Sequence, residues 1–167
     1  MLLLVSDANI LIDIDVGELN TPMFSLGNHG YQFAVPDVLF EQELKARHAY
    51  LLELGLQTRE LSEVDVRAVF ALSRKYAAPS RMDLFALALA KKESCPLLTG
   101  DAHLRIAAKA ESVEVKGTLW LIREMLEKCL ISVSIARLSL KKMAGNGRRL
   151  PWEEAEKIIK NFESRQG

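Results

Sequence analysis

Short apolar segments that alternate with stretches of helical periodicity constrain the fold of this chain more than any other feature. Residues 2–5 are all apolar, as expected for a strand covered on both faces, and residues 8–16 then place apolar side chains at helical spacing. Further strands are predicted at 32–35, 97–99 and 113–115, and further helices at 36–54, 62–76, 80–92, 102–110 and 119–130. This alternation predicts an α/β fold in which a parallel β-sheet carries helices on both faces.

The C-terminal segment has a different pattern, because no strand is predicted after residue 130. Apolar spacing predicts a helix around residues 135–140, a Gly-Asn-Gly turn follows at 145–147, and Pro151 is typical of the first residue of a final helix. We predict two regions of one folded unit, an α/β domain at 1–130 and a helical extension packed on it at 131–167.

Composition fits a single domain with no strong overall charge. The chain has 167 residues, 49% of them hydrophobic, which is enough for one sizeable core. Its 22 basic residues balance its 22 acidic residues, so no overall field attracts nucleic acid or a membrane. Cys95 and Cys129 lack metal-ligand spacing and are expected to be buried free thiols. Since no segment resembles a signal peptide or a membrane span, a cytoplasmic protein is predicted.

Four acidic residues, far apart in the sequence, lie where a predicted strand leads into a helix. They are Asp7, Glu41, Asp83 and Asp101. Each has an ordinary structural alternative: an N-cap for Asp7 and Asp101, a capping box with Ser80 for Asp83, and a solvated helix face for Glu41. Ligands of open α/β sheets bind at the carboxyl ends of the strands. Together the four residues therefore predict an acidic site at this edge of the sheet.

The chemistry of such a site follows from its charge. Ionised carboxylates held close together repel one another unless a cation lies between them. Oxygen ligands suit Mg²⁺ or Mn²⁺, whereas His29, His48 and His103 lack the spacing of a zinc site. Because such an ion activates water and stabilises charge developing on phosphorus, phosphodiester hydrolysis is the predicted reaction.

Four motifs surround these acids in a fixed order. They are Asp-Ala-Asn-Ile at 7–10, Pro36 followed by Glu41, Asp83 at the start of an alanine-rich helix, and Thr-Gly-Asp at 99–101. In this order they resemble the motifs of the PIN-domain family and are similar to those of VapC-type toxin ribonucleases. The resemblance covers residues 1–130, and the extension beyond it is longer than in compact toxins.

The resemblance implies a PIN-like three-layer sandwich with C-terminal helices and a ribonuclease dependent on Mg²⁺ or Mn²⁺. The implied catalytic residues are Asp7, Glu41, Asp83 and Asp101, of which Asp7, Asp83 and Asp101 hold the metal, with Asn9 and Thr99 in support. Glu43 would point to nearly the opposite helix face from Glu41, so only one of them can reach the site, and Glu41 is preferred. The implied partners are an RNA substrate, an antitoxin protein and a second copy of the chain.

Two further points bear on function. Between Glu127 and Glu153 the only charged residues are basic: Lys128, Arg137, Lys141, Lys142, Arg148 and Arg149. This stretch is typical of either a phosphate-binding surface or a solvated helix face. Two alternatives to a nuclease are a catalytically silent binding module of the same fold and a different phosphotransfer domain. The second is disfavoured because the chain has only Asp7 after its first strand and no convincing lysine late in the sheet. Since no GxGxxG or GxxxxGK(S/T) motif occurs, nucleotide cofactors are disfavoured as well.

Overall fold

The computed structural model describes residues 1–166 of the chain. Within this range there are five strands: β1 (Leu2–Ser6), β2 (Tyr31–Pro36), β3 (Gln57–Arg59), β4 (Leu97–Leu98) and β5 (Val115–Lys116). The α-helices in the same range are α1 (Ala8–Val16), α2 (Asn20–Ser25), α3 (Asp37–Leu39), α4 (Lys45–His48), α5 (Leu51–Leu54), α6 (Glu63–Lys75), α7 (Arg81–Glu93), α8 (Ala102–Ala110), α9 (Thr118–Glu127), α10 (Val133–Gly145) and α11 (Trp152–Gln166).

All five strands pair in parallel in the order β3-β2-β1-β4-β5. The chain builds outward from β1 to β3, then crosses to the other side of β1 to add β4 and β5. The order therefore reverses between β1 and β4, where Ser6 pairs with Leu98. In open α/β sheets this switch point is where the crevice for a ligand forms.

The sheet lies between two layers of helices, which confirms the predicted α/β sandwich. Helix α7 contacts α6, α3, β1 and β2, while in the other layer α1 and α9 contact each other and both contact α2 and α10. Helix α7 is buried along nearly its whole length, which its Leu- and Ala-rich sequence from Met82 to Ala90 allows. Both faces of the central strands are covered by helices, so their apolar residues need not alternate with polar ones.

Capping residues fix where the helices at this edge begin. Asp7 caps α1 by accepting a hydrogen bond from the Ile10 amide, and Asp101 caps α8 in the same way. Ser80 and Asp83 form a reciprocal capping box at the start of α7. The structural roles proposed for these acids are thus real. They leave lone pairs on each carboxylate, since an ionised carboxylate accepts about four hydrogen bonds.

The segment predicted as one helix at 36–54 is divided in the structure. Residues Phe40–Leu44 form a π-helical turn between α3 and α4, in which the Lys45 amide bonds to the Phe40 carbonyl, and α5 is separate. A π turn inserts one extra residue and changes which side chains share a face. The strand β3 was not predicted either, because Gln57–Arg59 is short and polar and owes its extended form to pairing with β2.

The C-terminal extension forms a helical hairpin on the layer that contains α1. Helix α10 contacts α1, α9 and α11. Gly17, directly after α1, lies against this hairpin, since a Cβ atom there would lie 2.5 Å from the Met143 Cε atom. An ion pair between Lys142 and Glu18 joins the same two regions. The extension is therefore packed closely beside the first helix of the sheet.

Two smaller expectations can be checked in the structure. Both cysteines are free, but only Cys95 is half-buried, and Cys129 is exposed, so the prediction of two buried thiols is wrong. The exposure follows from the position of Cys129 in the turn after α9, where it adopts a positive φ of 56°. Between residues 1 and 166, none of the helices is long and apolar enough to cross a membrane.

Candidate active site

Asp7 lies at the centre of the acidic edge, directly after β1 and beside β4. Its backbone amide donates to the Leu98 carbonyl at 3.0 Å, which fixes it to the neighbouring strand at the switch point. The residue is 1% exposed. Its Oδ1 atom accepts from the Ile10 amide at 2.9 Å, and its Oδ2 atom accepts from the Thr99 hydroxyl at 2.6 Å. The carboxylate is thus held rigidly by α1 and β4 together.

The electrostatic setting of Asp7 is unusual for an aspartate. Its pKa is raised from 3.8 to about 7, chiefly by burial and also by the nearby charges of Asp83 and Asp13, against the lowering effect of the Thr99 and Ile10 hydrogen bonds. A carboxylate that is buried among other carboxylates binds a proton or a cation more readily than an exposed one. Perturbed groups of this kind are concentrated at functional sites.

Asp83 approaches this centre from the start of α7. Its Oδ2 atom accepts from the Ser80 amide at 3.1 Å, as the capping box requires, and its charge acts on Asp7. It also acts on Glu43, whose pKa is raised first by burial and then by the charge of Asp83. The chain thus gathers Asp7, Asp83 and Glu43 from three separate elements.

The glutamate whose pKa responds to the charge of Asp83 is therefore Glu43, and the choice between Glu41 and Glu43 stays a prediction. The Glu41 side chain is 58% exposed and pairs with Lys45 at 3.0 Å along its own helical segment. Both glutamates lie in the π turn at Phe40–Leu44, which a sequence argument based on regular α-helical spacing does not anticipate.

Thr99 connects Asp7 to Asp101. Its hydroxyl donates to Asp7 and accepts from the Asp101 amide at 3.1 Å, so a single side chain orients both acidic positions. Asp101 itself accepts from the Leu104 amide at 2.8 Å through Oδ1. The structure thus brings Asp101 to the same edge as Asp7, and it gives Thr99 a bridging position between them.

A fifth carboxylate, Asp13, was missed in the sequence. It lies on α1, is 6% exposed, and accepts hydrogen bonds from the Thr118 hydroxyl at 2.9 Å and from Arg148 Nε at 2.6 Å. Arg148 also approaches the Asn9 carbonyl at 3.3 Å and its Oδ1 atom at 3.4 Å. Asn9 and Asp13 are four residues apart on one helix face. An acidic residue on the apolar face of α1 was the signal available in the sequence.

The candidate ligand atoms are of the type that a hard divalent cation prefers, but they do not surround a common point. Every candidate ligand is a carboxylate oxygen, as Mg²⁺ and Mn²⁺ prefer. Within residues 1–166, Asp83 Oδ1 and Asp101 Oδ2 accept no hydrogen bond from the protein, so both are available to a ligand. Across that range, however, no three Asp, Glu, His or Cys side chains cluster tightly enough to form a metal site. Metal binding stays a prediction.

The fold and the site together define a class of protein: a parallel α/β sandwich with carboxylates gathered at its topological switch point. A family model described as PIN domain matches residues 3–164, so this chain belongs to the PIN-domain family. The match includes the C-terminal helices as well as the sheet. PIN domains are generally nucleases. The family part of the resemblance is thus confirmed, and the VapC-type part stays a prediction.

The comparison with solved structures agrees on the fold. The chain is similar to a PilT N-terminus domain protein from the hyperthermophilic archaeon Sulfolobus solfataricus, with a TM-score of 0.52 and 17% sequence identity. The match covers 76% of this chain and 95% of that one. At this identity the likeness concerns the fold alone. No curated protein sequence matches the chain.

Proposed function

We propose that this protein is a metal-dependent endoribonuclease that hydrolyses RNA phosphodiester bonds at the acidic edge of its sheet. The observation that supports this most is the state of Asp7, a buried carboxylate whose pKa lies near 7 because burial and the charges of Asp83 and Asp13 act on it together. Such an arrangement destabilises the metal-free ionised site, and a bound cation would relieve the repulsion. The nuclease character of the PIN-domain family points the same way.

In this proposal Asp7, Asp83 and Asp101 hold Mg²⁺ or Mn²⁺, and RNA is the substrate. A bound ion of this kind stabilises charge on the phosphoryl oxygens and lowers the pKa of coordinated water. Thr99 orients Asp7 through its hydroxyl and fixes Asp101 by accepting from its amide. Glu43, whose raised pKa favours accepting a proton, orients the attacking water as a general base.

Cleavage of a labelled single-stranded RNA by purified protein tests this proposal. Asp7→Asn and Asp101→Asn are each expected to lower the rate by at least about 100-fold, a loss typical of removing a catalytic group. Glu41→Gln is the matched control, since that side chain is exposed and paired with Lys45. Excess chelator should abolish cleavage by the parent protein. Unchanged cleavage with chelator present would end the metal-dependent proposal.

A second candidate is a catalytically silent member of the same family that binds RNA or protein. One observation favours it: within residues 1–166, no three Asp, Glu, His or Cys side chains form a group that could hold a metal ion. Titration calorimetry with Mn²⁺ separates the two candidates. The nuclease proposal expects one binding event that Asp7→Asn removes, whereas the silent module expects no heat and intact RNA at millimolar metal.

The most specific part of this proposal is a toxin role. The toxin role rests on the resemblance of the motifs to those of VapC-type toxins, and it implies an antitoxin protein as partner. The other proposed partner is a second copy of the chain. Induced expression in a bacterial host tests it directly. A toxin should arrest growth, and Asp101→Asn should relieve the arrest at equal protein level. Normal growth with an active nuclease would instead indicate a housekeeping ribonuclease.

A further inference from the structure

A cleft at the acidic edge is shared between the sheet domain and the C-terminal extension. It has a volume of about 310 Å³ and is lined by Asn9, Asp13, Gly100, Asp101, Gly147, Arg148 and Arg149. Volumes of about 300–1,000 Å³ are usual for ligand sites. One wall thus carries a predicted metal ligand, Asp101, and the other carries two consecutive arginines from a segment more than forty residues away.

The end of α10 places these arginines. The Arg148 amide bonds to the Met143 carbonyl at 3.0 Å, and the Gly147 amide bonds to the Ala144 carbonyl at 3.2 Å. These are the two bonds of a Schellman motif, with Gly147 in the left-handed conformation at φ 76°. A residue with a side chain rarely adopts this φ. The glycine therefore turns the chain sharply and sends Arg148 back toward α1.

The two arginines have different roles. Arg148 is committed to the protein, since its Nε atom bonds to Asp13 at 2.6 Å and its guanidinium also contacts Asn9. Arg149 is exposed, and within residues 1–166 it makes neither an ion pair nor a hydrogen bond with its side chain. Arg148 thus acts as an anchor, and the anchor holds Arg149 at the mouth of the cleft.

The charge of the cleft indicates what Arg149 can bind. Asp13 is neutralised by Arg148, so Asp101 and Arg149 are left as an acidic and a basic side of one cleft. A phosphodiester would be repelled by the acidic side alone. A guanidinium offers several donors in a planar fork that matches phosphate oxygens. The basic side therefore supplies attraction that the carboxylates cannot.

We infer that Arg149 binds a phosphate of the RNA strand beside Asp101, and that the Arg148–Asp13 pair holds it there. The inference rests on the proposed nuclease function for the identity of the strand. It gives the C-terminal extension a direct part in substrate binding: Arg149 contacts the strand that is to be cleaved, and Arg148 is the positioning residue that holds Arg149.

Fluorescence anisotropy with a labelled eight-nucleotide single-stranded RNA tests the inference without any cleavage, in chelator and at 50–200 mM NaCl. Arg149→Ala should weaken binding about fivefold at the lowest salt and reduce the slope of log K against log salt by about 0.7, the value for one phosphate contact on a single strand. Arg149→Lys should retain the slope and recover part of the affinity, because it keeps the charge without the fork.

Arg67→Ala is the matched control, because it removes one positive charge at a distance from the cleft. Arg67 is exposed on α6. Its neighbour Asp65 pairs with Lys92, which lies at the opposite end of α7 from Asp83. Its binding should equal that of the parent. Equal binding by Arg149→Ala and Arg67→Ala would overturn the inference, as would failure of the parent to bind RNA at all.

Cleavage assays then separate this inference from the proposed function. If the parent protein binds RNA through Arg149 but does not cleave it with Mn²⁺, the nuclease proposal fails and the phosphate contact stands. If the parent cleaves RNA, Arg149→Ala should raise KM with a smaller effect on kcat. Cleavage with unchanged KM in Arg149→Ala would leave the nuclease proposal intact and refute the phosphate contact.

Discussion

Replacing Asp7 with asparagine should stabilise this protein above neutral pH, although it is expected to destroy its activity. The folded protein raises the pKa of Asp7 from 3.8 to about 7, chiefly by burial. Between these two values the folded state holds a proton that the unfolded state has released. The free energy of unfolding of the parent therefore falls as the pH rises from about 4 to about 7. An asparagine carries no charge, so the free energy of unfolding of the variant does not fall in this way.

The magnitude follows from the pKa and the hydrogen bonds. A rise from 3.8 to about 7 corresponds to about 4 kcal/mol at about 1.4 kcal/mol per unit. Asparagine can still accept from the Ile10 amide, but its NH₂ group cannot accept from the Thr99 hydroxyl, which costs about 1 kcal/mol. We therefore expect a net stabilisation of about 2–3 kcal/mol at pH 8, and about 1 kcal/mol of destabilisation near pH 4.

Urea denaturation with chelator present, at pH 4, 6 and 8, measures this difference. Asp101→Asn is the control, since it removes one carboxylate at the same edge that is half-exposed and not fully buried like Asp7. In a separate thermal melt at pH 8, the Asp7→Asn variant should unfold about 5–10 °C above the parent, as expected for this size of protein. A variant that is less stable than the parent at pH 8 would refute the argument that burial of this charge destabilises the fold.

Three further predictions follow from the same geometry. Mn²⁺ at about 100 times its dissociation constant should stabilise the parent by about 3 kcal/mol in a thermal melt and leave the stability of Asp7→Asn unchanged. An equal rise in melting temperature for both proteins would show that the metal binds elsewhere. Glu43→Gln should lower RNA cleavage by about 100-fold while Glu41→Gln stays within about twofold, and the reverse order would restore the choice of Glu41. Arg148→Ala should cost about 2–3 kcal/mol in urea denaturation, because it leaves buried Asp13 without its partner, and a loss below about 0.5 kcal/mol would show that the pair is not needed.

Local signals in the sequence predicted much of the fold correctly. The helix at Ala8–Val16 and the capping boxes that begin α6 and α7 are determined by residues within a few positions of one another. The apolar run of β1 was equally clear. Asp7 and Asp101 could be placed at the carboxyl edge because each closely follows a strand end, and parallel strands bring their carboxyl ends together in any such sheet.

Contacts between distant segments decided what the sequence left open. The strand β3 exists because it pairs with β2, and the charge of Asp83 acts on Glu43 from a different helix. The pairing of Asp13 with Arg148 joins residues 135 positions apart.

The sequence by itself determined the α/β class, the helix caps and the edge of the sheet where the acids lie, because those depend on short-range hydrogen bonds and on apolar periodicity. Tertiary structure alone decided which glutamate faces Asp83, how deeply Asp7 is buried and which arginine reaches the cleft. Burial, charge coupling and side-chain direction are set by the packing of elements far apart in the chain, and no local pattern of residues encodes them.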